Sequence, residues 1–199
     1  MKSLTDGREI SLEELLESRD RRFAFQQELL SRFKLPLISF MANIPGPVKK
    51  SSLSEEIFEA GLAAVRKAFA ESIRFEEVRR PDTGCEGFFV VDLVPEQVKR
   101  RTCTLEDGSP LGRLWDFDVH CPSYAPDAER NCRACADWCT FAENLRCAGT
   151  QISRRQLGLP ERRCLICGGP APECARSRRH SVAELLAKIS ALSEIVEIL

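Results

Sequence analysis

The chain has 199 residues, 43% of them hydrophobic and 30% charged, enough apolar material for a sizeable core and too much for a disordered chain. Its net charge of −1 excludes a global field that would select nucleic acid or a membrane surface. No apolar run is long enough to span a bilayer and the first residues lack the apolar centre of a signal peptide, so a cytoplasmic protein is expected. In that compartment ten cysteines read as thiols or metal ligands before disulfides.

Residues 11–33 are expected to form the first helix: Leu12, Leu15, Leu16, Phe23, Leu30 and Phe33 follow helical spacing, and Ser11 with Glu14 makes a capping box. Leu37–Met41 is a short apolar strand leading into the turn Pro45-Gly46-Pro47-Val48-Lys49. A second box, Ser52 with Glu55, is expected to open a helix carrying Leu53, Ile57, Phe58, Leu62, Val65 and Phe69. Ile73–Arg79 alternates like an edge strand, and Gly87–Leu93 has the near-continuous apolar run of a central one. Pro95 suits the first turn of a helix that places Val98, Thr102 and Leu105 inward and Lys99, Arg100 and Arg101 outward, ending near Asp107-Gly108.

Gly112–Val119 follows, and strand geometry puts Asp116 and Asp118 on one face and Trp115, Phe117 and Val119 on the other. Two adjacent carboxylates repel each other, which makes them a natural seat for a hard cation such as Mg²⁺. The competing reading is a half-buried strand with a wet face. Arg113 just ahead, the apolar surroundings and His120 on the same face favour the cation.

The order over 37–120 is β-α-β-β-α-β, which predicts an α+β, ferredoxin-like core with strand order 4-1-3-2 and both helices on one face. The other face is then expected to be wet or to hold a ligand. Its fourth strand lies beside the first, bringing the Gly46–Lys49 turn near the aspartates. Asp92 on the neighbouring strand could join them, although a cap or turn role is the commoner use of such a residue. The chain is expected to be a single domain, 1–199. An N-terminal helix precedes this core, and a cysteine-rich insertion at 121–149, an arginine- and cysteine-bearing segment at 150–180 and a C-terminal helix at 181–199 follow it.

Residues 121–149 carry Cys121, Cys132, Cys135, Cys139 and Cys147. The middle three fit a metal loop, but also the packing face of a short helix, since cysteine is a small hydrophobe. Residues 154–180 carry seven arginines (154, 155, 162, 163, 176, 178, 179), no lysine, and only Glu161 and Glu173 against them, which suits an anionic ligand. The same segment holds Cys164-Leu-Ile-Cys167-Gly-Gly-Pro, then Cys174 and His180, a plausible four-ligand Zn²⁺ set that competes with a redox pair or a buried thiol cluster. The last helix, opened by Ser181 and Glu184, repeats Val182, Leu185, Leu186, Ile189, Leu192, Val196 and Leu199. Docking on the domain accounts for this stripe better than dimerisation does.

Three motifs together, Pro45–Lys49, Pro110-Leu-Gly-Arg-Leu-Trp-Asp-Phe-Asp-Val119 and Arg163-Cys-Leu-Ile-Cys167 with Cys174-Ala-Arg176 and His180, closely resemble the apo-citrate lyase phosphoribosyl-dephospho-CoA transferase (holo-citrate lyase synthase) family. The resemblance implies a nucleotidyltransferase. Its donor is 2′-(5″-triphosphoribosyl)-3′-dephospho-CoA, its acceptor a serine of the citrate lyase acyl carrier (gamma) subunit, and its second product diphosphate. Under it, charge and geometry assign Asp116 and Asp118 to Mg²⁺, with one of them helping to deprotonate the serine. Arg113 and Lys49, with Gly46 in the turn, fall to the triphosphate, and Arg163, Arg176 and Arg178 to the dephospho-CoA phosphates or the acidic carrier.

Two other classes compete. A non-enzymatic zinc or iron–sulfur module could bind a protein or nucleic acid through its arginines. A polymerase-like palm would explain β-α-β-β-α-β with Asp-x-Asp, but the neutral charge and the lack of a basic, aromatic-studded surface oppose a nucleic-acid partner.

Overall fold

The computed structural model describes residues 2–122 and 151–196. Helix α1 spans Leu12–Phe33; the Ser11 hydroxyl accepts from the Glu14 amide, and the Glu14 carboxylate accepts from the Ser11 amide. Then come β1 (Leu37–Ala42), α2 (Ser52–Phe69), β2 (Ile73–Arg79), β3 (Glu86–Val91), α3 (Pro95–Gly108), a 3-10 turn (Pro110–Leu114) and β4 (Trp115–His120). A second 3-10 turn (Arg155–Leu157), a short α4 (Ala171–Ser177) and α5 (Val182–Val196) complete the described chain. The result is a mixed α/β architecture of five α-helices and one four-stranded antiparallel sheet among the described residues.

The box that opens α2 lies one residue earlier than expected. Ser51 is the N-cap and Ser54 its reciprocal partner, because Ser52 is engaged elsewhere: its amide and hydroxyl both donate to Asp6 at the N-terminus.

The strand order is β2–β3–β1–β4, with every neighbour antiparallel. On one face Ile38, Phe40, Phe89, Val91, Phe117 and Val119 pack beneath α2 and α3. Phe40 stacks on Phe58 at 4.8 Å and meets Phe117 at 4.5 Å, while the Trp115 indole donates to the Ile57 carbonyl at 3.0 Å. Each such fully buried aromatic contributes on the order of 1.5–3 kcal/mol. Gly61 of α2 makes this approach possible, since a Cβ there would sit 2.2 Å from Phe40 Cζ and 3.0 Å from the Trp115 nitrogen. Gly61→Ala is therefore expected to destabilise the fold by roughly 1–3 kcal/mol despite alanine's better helix propensity. Urea denaturation is the check, and an unchanged midpoint would show that the ring can move aside.

The opposite face is not bare, contrary to expectation. Leu29 and Leu30 of α1 cover Leu37, Phe88 and Val90, the Gln26 amide donates to the Ser39 hydroxyl at 2.8 Å, and Arg22 pairs with buried Glu86 at 3.1 Å. The reason is that β3 is apolar on both sides and needs a second cover. The docking face of α1 also differs from the apolar stripe: Leu12, Leu16 and Phe23 are exposed, whereas Ser18, Gln26, Leu29 and Leu30 are buried. Ser18 and Gln26 bond to Thr83 and Ser39, so polar matches help to select this face over a more apolar one. On β4 the far-face residues Asp116, Asp118 and His120 remain only partly buried.

Helix α5 docks as expected, with Ile189 buried and Leu186 packed on the core, behind a cap in which Ser181 and Glu184 exchange hydrogen bonds. The side chains of Val196 and Leu199 lie outside the described residues, as do Cys132, Cys135, Cys139 and Cys147. Cys121 is described and belongs to the core.

Candidate active site

β4 is an edge strand, and an unpaired edge exposes backbone groups that must find partners. Here side chains and a returning segment supply them. Glu106 Oε1 accepts from the Phe117 amide at 3.1 Å and Lys99 donates to the Phe117 carbonyl at 2.9 Å. The Ile152 amide donates to Val119 O at 2.8 Å, and Arg162 Nη2 donates to Trp115 O. The edge of β4 is thus closed by residues far apart in the chain, from Lys99 and Glu106 of α3 to Ile152 and Arg162.

The same residues surround the aspartates. Asp116 and Asp118 lie opposite Met41 and Ser39 of β1. Asp116 Oδ1 accepts from Arg162 Nη1 at 2.9 Å, and Asp118 Oδ1 accepts from the Gln151 amide. Behind them Glu106 Oε2 binds Arg154 at 2.6 Å and approaches Arg162 Nε at 3.8 Å, while Arg154 also takes Asp107 at 2.9 Å. A buried chain Arg154–Glu106–Arg162 therefore carries charge to Asp116.

Burial first, and then the Asp116 charge, lift Asp118 from near 3.8 to about 6, with Lys99 and Arg162 opposing less strongly. Burial, then Lys99, drop His120 to about 4, so its imidazole is neutral at pH 7. Arg113 is held below its ordinary value by burial and by the positive Arg162 and Arg154 nearby. Its buried Nε has no hydrogen-bond partner among the described residues. The second oxygens of Asp116 and Asp118 take no hydrogen bond from any described residue. Two carboxylates on one strand face, each with an oxygen that takes no hydrogen bond from a described residue, fit a divalent cation. An arginine that forms no ion pair with any described residue fits an anion.

The remaining expected site residues are spread more widely. Lys49 folds back onto the Ile44 carbonyl at 2.7 Å, and burial lowers its ammonium from the ordinary value. Its Cβ lies close to the Gly84 backbone beside Met41, the β1 residue opposite Asp116. Gly46 lines a cavity of about 220 Å³ with Leu4, Pro47, Val48 and Leu186. Arg163 donates to Gly168 O at 3.3 Å, and Arg176 and Arg178 are exposed on and just after α4. Asp92 does not join the aspartates; it pairs with Arg74 at 2.9 Å. The thiols and imidazole of Cys164, Cys167, Cys174 and His180 come together with their ligand atoms all within 4.8 Å.

Several neighbours of the site escaped the sequence reading. Lys99 points inward, not outward, because Phe117 O needs a donor. Glu106 continues the inward spacing Val98, Thr102, Glu106, which could have exposed it. Arg162, not Arg163, grips the aspartate, a choice that no local pattern makes.

The sequence profile described as apo-citrate lyase phosphoribosyl-dephospho-CoA transferase matches residues 10–137 and 143–195, which makes the chain an enzyme of the transferase class. It belongs to the apo-citrate lyase phosphoribosyl-dephospho-CoA transferase family. A Citrobacter koseri protein of that name is 38% identical over 186 residues, covering 92% of this chain and 88% of the relative. Proteins of the same name from Escherichia coli O7:K1 and Shigella boydii serotype 18 are each 35% identical over 191 residues, covering 94% of this chain and 91% of theirs. The resemblance seen in the three motifs is therefore correct, and the non-enzymatic module is set aside. No described helix is long and apolar enough to cross a membrane.

Proposed function

We propose that this enzyme transfers the phosphoribosyl-dephospho-CoA group from 2′-(5″-triphosphoribosyl)-3′-dephospho-CoA to a serine of the citrate lyase acyl carrier subunit, in the cytoplasm. The serine oxygen bonds to the α-phosphorus, the bond from that phosphorus to the β-phosphate oxygen breaks, and diphosphate leaves with the electron pair. Asp116 and Asp118 would hold Mg²⁺, which supplies charge neutralisation on the departing diphosphate. One of the two carboxylates can take the serine proton. Arg113 binds the triphosphate, and Arg162 holds Asp116 in place. Lys49 and Gly46 border the donor from the 45–49 turn. Arg163, Arg176 and Arg178 offer charge-assisted contacts to the dephospho-CoA phosphates or to acidic groups of the carrier.

Family membership supports the reaction, and the observation that carries the reading is the buried Arg113 Nε, without a hydrogen-bond partner among the described residues, near the Arg162 that grips Asp116. Incubation of the enzyme with donor and apo-carrier should raise the carrier's mass by the prosthetic group and release one diphosphate per carrier. EDTA should stop this and Mg²⁺ restore it. A folded enzyme that leaves the carrier unmodified with intact donor present would refute the transfer; modification that survives full chelation would refute the metal.

A further inference from the structure

Residues 161–180 have almost no core of their own. Cys174 is the only buried residue of the whole stretch, and α4, at seven residues, is too short to hold itself together in water. What the segment does have is a converging set of donor atoms. The Cys164 amide donates to Gly169 O at 2.6 Å and the Gly168 amide to Cys164 O at 3.2 Å, with Gly168 at φ 70°. This tight turn points both thiols of Cys-x-x-Cys the same way. Cys174 comes from α4, with its sulfur 3.5 Å from that of Cys167. His180, one residue before the cap of α5, brings an imidazole whose Nε2 is buried and makes no hydrogen bond to any described residue.

We propose that Cys164, Cys167, Cys174 and His180 bind one Zn²⁺ in a closed tetrahedral site that cross-links the 161–180 segment internally, from the Cys-x-x-Cys turn through α4 to the start of α5, in place of the core it lacks. With Zn–S bonds of about 2.3 Å a tetrahedral site sets its sulfurs about 3.8 Å apart, and all four ligand atoms here lie within 4.8 Å of one another. A disulfide would need the sulfurs at about 2.05 Å, whereas Cys164, Cys167 and Cys174 are free thiols. Three soft sulfurs and one imidazole select zinc over the hard cation that suits the aspartates. The burial of Cys174 follows from this role. With four protein ligands no position is left for water or substrate, so the metal is structural. Its consequence for the rest of the molecule runs through Arg162, two residues before the first ligand, which bonds both Asp116 and the edge of β4. The site stands independently of the transfer reaction proposed above.

The test uses the full chain, purified without a histidine tag and loaded with Zn²⁺ or Co²⁺ alone. Elemental analysis of the Cys164→Ser/Cys167→Ser variant should show one equivalent of zinc fewer per chain than the parent. The Co²⁺-loaded parent should show the intense visible bands of a tetrahedral thiolate site, and these should disappear in the same variant. His180→Cys should retain the metal and shift those bands, a result that guards against loss of metal by simple misfolding. Equal zinc content in the parent and the double serine variant would overturn the proposal. So would a Co²⁺ spectrum indifferent to His180→Cys, or a Cys167–Cys174 disulfide in the protein as isolated under reducing, zinc-replete conditions.

Discussion

Asp118→Asn is expected to lower carrier modification by at least about 10²-fold, the scale on which a positioned proton acceptor or charge stabiliser acts, while leaving the protein folded. The stability side of this expectation has a definite sign. Asp118 titrates at about 6 in the folded protein against 3.8 ordinarily, so folding favours its protonated form. That contribution is fully present below pH 3.8 and is lost as pH rises through about 6. At pH 7.5 the wild type carries an ionised, repelled carboxylate that asparagine lacks. The variant's melting temperature should therefore equal or exceed that of the wild type at pH 7.5, and the difference should shrink between pH 6 and pH 4. Asp116→Asn should also lose activity, but without the stability gain, because it weakens the pair with Arg162. Full activity in either variant would sink the two-aspartate mechanism.

Glu106→Ala should cost about 3–5 kcal/mol, the range for removing one partner of a buried ion pair. Glu106 is 2% exposed and Arg154 9%, and among the described residues no other anion bridges Arg154 and Arg162, while the Phe117 amide loses its acceptor. In urea the midpoint should fall with an unchanged slope, since the folded surface is the same. Activity should fall beyond what the unfolded fraction explains, because Arg162 loses the anchor behind Asp116. A loss under about 1 kcal/mol would mean that Asp107, which is half-exposed, compensates the arginines by itself.

Local signals marked the elements well. The Ser11–Glu14 and Ser181–Glu184 boxes start their helices where capping chemistry requires, and Pro95 opens α3. The alternation over Trp115–His120 placed the two aspartates on one face, and burial follows it residue by residue. Polar contacts at long range were harder to see. Ser52 was displaced as a cap by Asp6, forty-six residues away in sequence, and α1 turned a mixed face, not its most apolar one, toward the sheet because Ser39 and Thr83 waited there.

What the sequence determined by itself was the order of elements, the Asp116–Asp118 pair, the Cys-x-x-Cys turn and the family, because each is a matter of spacing along a few neighbouring residues. Only the tertiary structure decided which charges meet. Lys99, Glu106, Gln151 and Arg162 converge on β4 because an edge strand leaves backbone groups and carboxylates to be satisfied. Any nearby donor or acceptor could have met that demand. The choice depended on how α3 and the 151–163 segment pack against the strand, which no local pattern encodes.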